Sequence, residues 1–337
     1  MRYLRVGLLL VAIFFLVACS NGQSPTNNPD LKEYTETYID IMDTLVDVRI
    51  VTTMESAEAE SVLTAVKAEM QRLEAILSAH LPDSDVAKIS ASSEPVSVSP
   101  HTLNVVNTAL QYADLTNGTF DITLAPVLDL YDFGEKRFPD EAQLADNLPL
   151  VDYTRVEVDT DRQTIALPKS MRLDLGGIAK GYIVDRAVDF LLANGVEYAT
   201  VNAGGDIRVS GSKPDGTPWR IGIKNPNEIQ HLFAVIEVSD SAIVTSGDYE
   251  RYFEQDGIRF HHIIDPATGL PGNLCKSVTV VAPTAELADL LSTAIFVMGP
   301  EEGLALAESL DSVEALIWDA DDEIHWTSGL EDRLELR

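Results

Sequence analysis

The period of the hydrophobic pattern changes along the chain. Apolar residues alternate with polar ones between 45 and 53, which predicts a strand, and then recur at helical spacing from 55 to 79. A second helix is predicted to begin at Pro100 and to end at Asn117-Gly118, since proline suits a first turn and Asn-Gly ends helices. The pattern therefore predicts helices and strands of ordinary length in one folded region.

The second half of the chain is richer in predicted strands. A hairpin is predicted over 155–167, and a helix follows the glycine turn near residue 176 and ends at Asn194-Gly195. Further strands are predicted at 198–202, 206–210, 232–238, 242–245, 259–264, 277–282, 315–318 and 323–327, with helices at 285–298 and near 302–310. Helices and strands come in clusters without β-α-β alternation or a repeat, which predicts an α+β fold with mixed or antiparallel sheets.

The first eighteen residues are predicted to be a secretory signal. Arg2 and Arg5 precede an apolar run over 6–18 that is too short for a stable membrane span. Leu16-Val17-Ala18-Cys19 resembles the bacterial lipobox, in which the cysteine is acylated and becomes the first residue of the mature chain. An ordinary signal peptide cleaved near a chance cysteine is the alternative.

A flexible tether is predicted after Cys19. Residues 19–30 contain no large apolar side chain that could pack in a core, so the folded domain is assigned to residues 31–337. The protein is therefore expected outside the cytoplasm, lipid-anchored to a membrane: on the periplasmic side of an inner or outer membrane, or on the outer face of a single membrane.

The sequence is strongly acidic. Its net charge is −30, and removal of the signal leaves 22 basic and 54 acidic residues, a net charge of −32. Such a surface repels phosphate backbones, which argues against a nucleic-acid partner. Cys275 is the other cysteine of the chain besides Cys19, so the folded part has no intrachain disulfide. An anionic ligand would need a local cation or a metal ion.

The stretch from Asp174 to Gly181, DLGGIAKG, is a candidate anion site. It fits neither the P-loop pattern nor G-x-G-x-x-G, but paired glycines let a ligand approach the main chain, and N–H groups at a helix start attract phosphate. Lys180 adds a positive charge, and Arg186 would reach the same ligand only if the helix flanked it lengthwise. A tight turn with a solvent-facing lysine is the alternative.

Asp289 and Thr293 are a candidate metal pair. Their i, i+4 spacing places both oxygens on one face of an otherwise apolar helix. A carboxylate there is costly unless it is paired or metal-bound, and two hard oxygens suit Mg²⁺ or Ca²⁺. The alternative is an exposed first-turn acid at Asp289, favoured by the helix dipole.

His261 and His262 are candidate acid–base groups. Strand geometry sends the two rings to opposite faces, so they are not expected to bind one metal together. The inward ring could act as acid, base or hydrogen-bond donor, and a core histidine bonded to the main chain is the alternative. The turns at 202–206 and 245–249 also place small residues where a ligand could meet the main chain.

Taken together, these stretches resemble the ApbE family of FAD:protein FMN transferases in sequence and in order. They are Met42-Asp43-Thr44, Thr119-Phe120-Asp121, LDLGGIAKGYIVDRA (173–187), NAGGD (202–206), TSGDYERYF (245–253), HHIIDPATG (261–269) and ADLLSTAIFVMG (288–299). The resemblance covers about residues 38–320. It implies an ApbE-like fold with T-fold-like subdomains, in bacterial proteins that are often lipoproteins.

The resemblance also implies a reaction and a site. FAD would be the substrate: it would be split at its pyrophosphate, with Mg²⁺ as cofactor, and FMN would be joined through its phosphate to a threonine or serine of an acceptor flavoprotein as AMP leaves. The implied metal site contains Asp289, Ser292, Thr293 and the main-chain carbonyl of Ile183. The implied FAD contacts are Met42, His80, Thr119, Phe120, Asp121, Gly177, Lys180, Arg186 and Ile263. His262 matches the histidine that the family needs for activity, and we hypothesise that it takes the proton of the acceptor hydroxyl.

Three positions depart from the family pattern. Asp43 stands where the family often has glycine, His80 where some members place a tyrosine against FAD, and Ser90 where asparagine is frequent. The motifs hardly separate a transferase from an FAD pyrophosphatase that gives FMN and AMP, and a non-catalytic flavin-binding lipoprotein is a third alternative. The implied acceptor is a membrane redox-complex subunit or an extracellular flavoprotein.

Overall fold

An eight-stranded antiparallel sheet organises the fold. The computed structural model describes residues 28–255 and 258–337, so the predicted signal peptide, Cys19 and most of the tether lie outside the described residues. In spatial order the sheet contains β1 (Lys32–Ile41), β2 (Thr44–Thr52), β6 (Tyr198–Ala203), β7 (Asp206–Val209), β10 (Ser241–Gly247), β13 (Cys275–Ala282), β14 (Glu314–Asp319) and β15 (Ile324–Trp326).

Three smaller antiparallel sheets and eight helices complete the described chain. The sheets are β3 (Val96–Ser97), β5 (Thr164–Ala166) and β4 (Glu157–Asp159); β16 (Leu334–Leu336), β9 (Leu232–Val238) and β8 (Trp219–Lys224); and the hairpin of β11 (Tyr252–Gln255) and β12 (Ile258–His261). The helices are α1 (Ser56–Leu77), α2 (Asp85–Ala91), α3 (Pro100–Leu115), α4 (Ala125–Leu128), α5 (Glu141–Asn147), α6 (Ala179–Ala193), α7 (Ala285–Met298) and α8 (Pro300–Ser309). The α+β prediction is confirmed, and the sheets are antiparallel.

The large sheet is covered on both faces. On one face α6 and α7 pack against its central strands, and α1 packs against α6. On the other face the β8–β9–β16 sheet contributes Trp219 and Phe233, which pack with Val281 and Leu316 of the large sheet. Successive residues of β13 therefore enter opposite cores, as the period-2 geometry of a strand requires. Within the described ranges, no helix combines the length and apolar character needed to span a bilayer.

The crossing of α6 and α7 positions the candidate site. The carboxylate of Asp185 accepts the N–H groups of Ala285 (2.8 Å) and Glu286 (2.9 Å), which satisfies two of the unpaired donors at the start of α7. Gly181 lies at the closest approach: a Cβ there would lie 2.2 Å from the main-chain oxygen of Ala285. The two helices can therefore touch backbone to backbone only because residue 181 is glycine.

We expect Gly181→Ala to destabilise the protein by about 1–3 kcal/mol, because the new methyl group meets main chain that cannot rotate away. Ordinarily a helical Gly→Ala change stabilises by roughly 0.5–1 kcal/mol. Gly303→Ala in α8 is the comparison, since its Cβ would meet a side-chain methyl group, Ile295 Cγ2, at 2.5 Å instead of a main-chain oxygen. Urea unfolding measures both changes, and a Gly181→Ala variant as stable as the original chain would contradict the packing argument.

Candidate active site

Asp289 is a buried carboxylate with few groups nearby that could stabilise its negative charge. Its side chain lies in α7 among apolar residues, the residue is 4 % exposed, and its Oδ2 accepts the main-chain N–H of Gly181 at 3.1 Å. Burial raises the pKa of Asp289, the neighbouring carboxylate of Asp206 raises it further, and the charge of Lys180 and the Gly181 N–H offset only part of the increase. The alternative of an exposed first-turn acid is wrong.

Lys180 forms an ion pair with Asp206 rather than facing solvent. The Lys180 Nζ lies 2.5 Å from Asp206 Oδ2, and the Asp206 side chain is 2 % exposed. Burial lowers the pKa of Lys180, but Asp206 and Asp289 outweigh this effect and raise it, so the ammonium keeps its proton. Sequence reasoning noted the turn that contains Asp206 but missed its role. The available signal was an acid directly after the glycine pair, at the start of an apolar strand.

Gly177 lies against Thr293. A Cβ on Gly177 would lie 3.4 Å from Thr293 Oγ1 and 3.0 Å from the ring of Phe120, so the glycine turn, the hydroxyl and the aromatic ring meet at one point. Ile183 lies inside α6, where main-chain carbonyls bond to N–H groups four residues on. The turn at Gly177 lies beside Thr293, and the metal-binding role implied for the Ile183 carbonyl stays a prediction.

Ser292 links two elements rather than extending the pair of Asp289 and Thr293. Its hydroxyl is fully buried, lies 2.8 Å from the hydroxyl of Ser246 on β10, and donates to the Asp289 carbonyl at 3.0 Å. Both contacts are within the protein and satisfy this hydroxyl. These contacts connect α7 to β10, and the metal-binding role that the resemblance implies for Ser292 stays a prediction.

The two adjacent histidines have different environments. His261 is buried, its Nε2 lies 2.8 Å from the carbonyl of Gly272, its Nδ1 accepts the N–H of Ile263 at 3.3 Å, and its ring meets Phe296 edge-on at 5.3 Å. Burial lowers the pKa of His261 to about 4. Because both ring nitrogens have main-chain partners, His261 is the core histidine that the sequence analysis gave as the alternative to an acid–base group.

His262 keeps one ring nitrogen available. Its Nδ1 is buried and has no hydrogen-bond partner among the described residues. Burial lowers the pKa of His262 to about 3, with smaller contributions from His261 and from the positive charges of Arg251 and Lys180. The ring is therefore neutral at physiological pH and lies close enough to Lys180 to sense its charge.

Asp174, which opens the glycine turn, belongs to the same region. Its carboxylate accepts the Gly176 N–H at 2.7 Å, and burial raises its pKa although the charges of His80 and Arg251 act in the opposite direction. His80 is itself exposed. Sequence reasoning singled out neither Asp174 nor Arg251, although each stands in a quoted motif.

The turn at Met42 explains one departure from the family pattern. Met42 and Asp43 have φ angles of 53° and 51°, the left-handed region that glycine adopts without strain. The Met42 N–H donates to Glu74 at 2.9 Å, which ties this turn to α1. Asp43 therefore occupies a conformation that accounts for the glycine frequent at this position in the family.

Three other implied FAD contacts already use main-chain or side-chain groups in hydrogen bonds within the protein. The Asp121 carboxylate accepts the N–H (2.7 Å) and hydroxyl (2.6 Å) of Thr123 and the N–H of Tyr153 (3.1 Å). The hydroxyl of Thr119 donates to a carbonyl within its own turn, and the carbonyl of Ile263 accepts the Gly272 N–H at 3.0 Å. In this segment Phe120 is the residue that contacts Gly177.

Arg186 lies on a different side of α6 from Lys180. Its guanidinium pairs with Asp189 at 2.7 Å and stands 5.3 Å from the ring centre of Tyr182, whose hydroxyl bonds to His101 of α3. Lys180, in contrast, faces β7 through Asp206. The two side chains therefore have different neighbours, and the FAD contact implied for Arg186 stays a prediction.

A second group of possible metal ligands lies at the β14–β15 turn. Asp319, Glu323 and His325 each place one ligand atom within 4.8 Å of the others. Asp319 Oδ1 accepts the N–H groups of Asp321 and Glu323, and Oδ2 lies 2.7 Å from His325 Nε2. These contacts close the turn and give this group a structural function.

The raised pKa of Asp289 makes the metal-free protein less stable as pH rises. Above the ordinary carboxyl pKa of about 4 the unfolded chain loses a proton that folded Asp289 retains, so stability falls with increasing pH. We expect the melting temperature in EDTA to fall less for Asp289→Asn than for the original chain between about pH 5 and about pH 8. Mg²⁺ should raise the melting temperature of the original chain and of the control, but not that of Asp289→Asn. The exposed Asp83→Asn serves as the control, and parallel curves for all three would contradict the assignment.

The histidine pair predicts unequal costs of substitution. His261→Ala removes two ring contacts and leaves a cavity beside Phe296, so we expect a loss of about 2–4 kcal/mol in the free energy of unfolding. His262→Ala removes no ring hydrogen bond found in the described structure and should cost less than about 1 kcal/mol. Denaturant unfolding, with the exposed His231→Ala as control, measures the difference, and equal losses at 261 and 262 would refute it.

Comparison with known proteins identifies the family. Residues 42–317 match the model of the ApbE family. A protein of Vibrio cholerae serotype O1 named FAD:protein FMN transferase is 35 % identical over 93 % of this chain and 94 % of its own, and one of the same name from Treponema pallidum is 34 % identical over 99 % and 96 %. The crystal structure of the ApbE protein of Thermotoga maritima superposes with a TM-score of 0.82 at 33 % identity, covering 90 % of this chain and 99 % of that one. The chain belongs to the ApbE family.

Proposed function

We propose that this chain is a Mg²⁺-dependent FAD:protein FMN transferase. It splits FAD at the pyrophosphate, joins FMN through its phosphate to a threonine or serine hydroxyl of an acceptor flavoprotein, and releases AMP. The observation that carries the proposal is the cluster of Asp289, Lys180, Asp206 and the unpartnered nitrogen of His262, in a chain similar over nearly its whole length to proteins of that name.

The donor chemistry of the cluster fits Mg²⁺. The Asp289 carboxylate is buried with a raised pKa, so it lacks sufficient positive partners within the protein. The Thr293 hydroxyl beside Gly177 adds a neutral oxygen, and Mg²⁺ prefers hard oxygen ligands. Asp289 and Thr293 would hold the ion, with the main-chain carbonyl of Ile183 as the third ligand that the resemblance implies. The ion would neutralise charge on the phosphate oxygens of FAD.

His262 would accept the proton of the acceptor hydroxyl. Its Nδ1 lacks a partner, and its low pKa leaves the ring neutral and able to accept. A base with a pKa of about 3 is weak, but the negative charge of a bound pyrophosphate nearby would raise the pKa toward its ordinary value. The acceptor hydroxyl would thus be activated mainly once FAD is bound.

We infer the acceptor and the location from the predicted signal sequence and from the family resemblance. A lipid anchor at Cys19 would hold the enzyme outside the cytoplasm, where its acceptor would be a membrane redox-complex subunit or an extracellular flavoprotein. The tether of residues 19–30 would let the folded domain reach acceptors near the membrane surface. Radiolabelled fatty acid incorporated in the original chain and lost in Cys19→Ala would support the anchor, and equal incorporation would exclude it.

The activity is tested by incubating the purified protein with FAD, Mg²⁺ and an acceptor domain that carries a candidate threonine. We expect a fluorescent acceptor band that survives denaturation, together with AMP. FMN and AMP without a labelled band would establish the pyrophosphatase instead, and intact FAD would establish a flavin carrier.

Histidine variants sharpen this experiment. We expect His262→Ala to lower the transfer rate by roughly 10²- to 10⁴-fold while the dissociation constant of FAD changes little, because general base catalysis contributes about that much. His231→Ala is the matched control, since its ring is 71 % exposed and pairs only with Glu228 among the described residues. Unchanged transfer by His262→Ala would remove His262 from the mechanism.

A further inference from the structure

The pyrophosphate of FAD requires a cation that the residues considered above do not supply. Lys180 is held by Asp206, and Arg186 is held by Asp189 on another side of α6. The rest of the chain is strongly acidic, so an unneutralised anion would be repelled. A positive side chain not already paired with a carboxylate is therefore needed near Asp174 and His262.

Arg251 lies at that position. It directly precedes β11, and its carbonyl accepts the N–H of His262 at 3.1 Å, so its main chain is fixed beside the candidate base. Its side chain is exposed and, among the described residues, forms no ion pair with a carboxylate. By comparison, Arg259 on the same hairpin contacts both Asp248 and Glu254.

The Arg251 guanidinium is also oriented. It stands 5.9 Å from the ring centre of Phe133, which stacks on Tyr131, whose hydroxyl donates to the carbonyl of Gly269 at 2.7 Å. An aromatic face attracts a guanidinium and leaves its N–H groups directed to other partners. The main-chain bond between Arg251 and His262 fixes the arginine beside the candidate base, and its positive charge lowers the pKa of both His262 and Asp174.

We propose that Arg251 binds the pyrophosphate of FAD between the glycine turn at Asp174 and His262. A guanidinium can donate two parallel hydrogen bonds to phosphate oxygens, which orients the anion as well as attracting it. The inference rests on the proposed function, since it takes FAD as the substrate. It assigns to Arg251 the contact that the sequence resemblance had assigned to Arg186.

The test compares two flavins that differ in phosphate. The dissociation constants of FAD and of riboflavin, which carries no phosphate, are measured by flavin fluorescence for the original chain, Arg251→Gln, Arg251→Lys and Arg186→Gln. We expect Arg251→Gln to weaken FAD binding by about tenfold or more, as for loss of a charged hydrogen bond, and to leave riboflavin binding unchanged. Arg251→Lys should recover part of the loss, and Arg186→Gln should bind both flavins as the original chain does.

Equal weakening for FAD and riboflavin in Arg251→Gln would show a structural effect and overturn the inference. Unchanged FAD binding by Arg251→Gln would also overturn it, while leaving the proposed function in place if the original chain labels its acceptor. If the original chain binds FAD no more tightly than riboflavin, both the inference about Arg251 and the proposed function would be overturned. Selective loss of FAD affinity in a chain that labels no acceptor would uphold Arg251 and reject the transferase.

Discussion

The burial of the Asp289 carboxylate at the crossing of α6 and α7 is the constraint on which the rest of the site depends. An unpaired charge in an apolar helix costs several kcal/mol unless nearby groups compensate for it. The compensating groups, the N–H of Gly181 and the charge of Lys180, both come from the first turns of α6. They reach Asp289 because the two helices touch at a glycine and because Asp185 fixes the start of α7.

The charges of the cluster explain how an acidic protein can bind an anion. Three carboxyl groups, those of Asp289, Asp206 and Glu250, surround the single ammonium of Lys180, and the raised pKa of Asp289 lets it keep a proton while no cation is bound. A divalent ion would replace that proton and make the site less negative. Anion binding would then depend on the metal, and Arg251 would add a further positive charge. This dependence fits an enzyme whose substrate is itself a metal-binding pyrophosphate.

The sequence predicted those elements whose side-chain periodicity is strong. The helices at α1, α3, α6 and α7 and the central strands of the large sheet follow from apolar spacing, because each buries one face or both. Strand β1 was not predicted, since most of its residues are exposed and polar on both faces. The short helices α2 and α5 span seven residues each, too few for a helical period to be recognised.

The sequence indicated which residue types form the site, but it did not show which way each side chain points or which distant residue it meets. The motifs selected Asp289, Thr293 and Lys180 from local spacing, but Asp206 was missed because its ion pair joins residues distant in sequence. Six helical residues separate Arg186 from Lys180 by about 240° around the axis, so local spacing could not say whether both side chains reach one ligand. The approach of Gly177 to Thr293 was likewise outside the reach of local spacing, because it joins a turn to a helix distant in sequence.

The adjacent histidines show what alternation can and cannot decide. The alternation of side chains along a strand required different surroundings for the two rings, but it could not say which ring would have hydrogen-bond partners for both nitrogens. That choice depends on the turn after β12, which returns Gly272 to the strand and presents its carbonyl to His261. His261 is satisfied by main chain, whereas the buried Nδ1 of His262 has no hydrogen-bond partner among the described residues. An orphaned buried nitrogen costs stability, and the function proposed for this site gives a physical reason for retaining it.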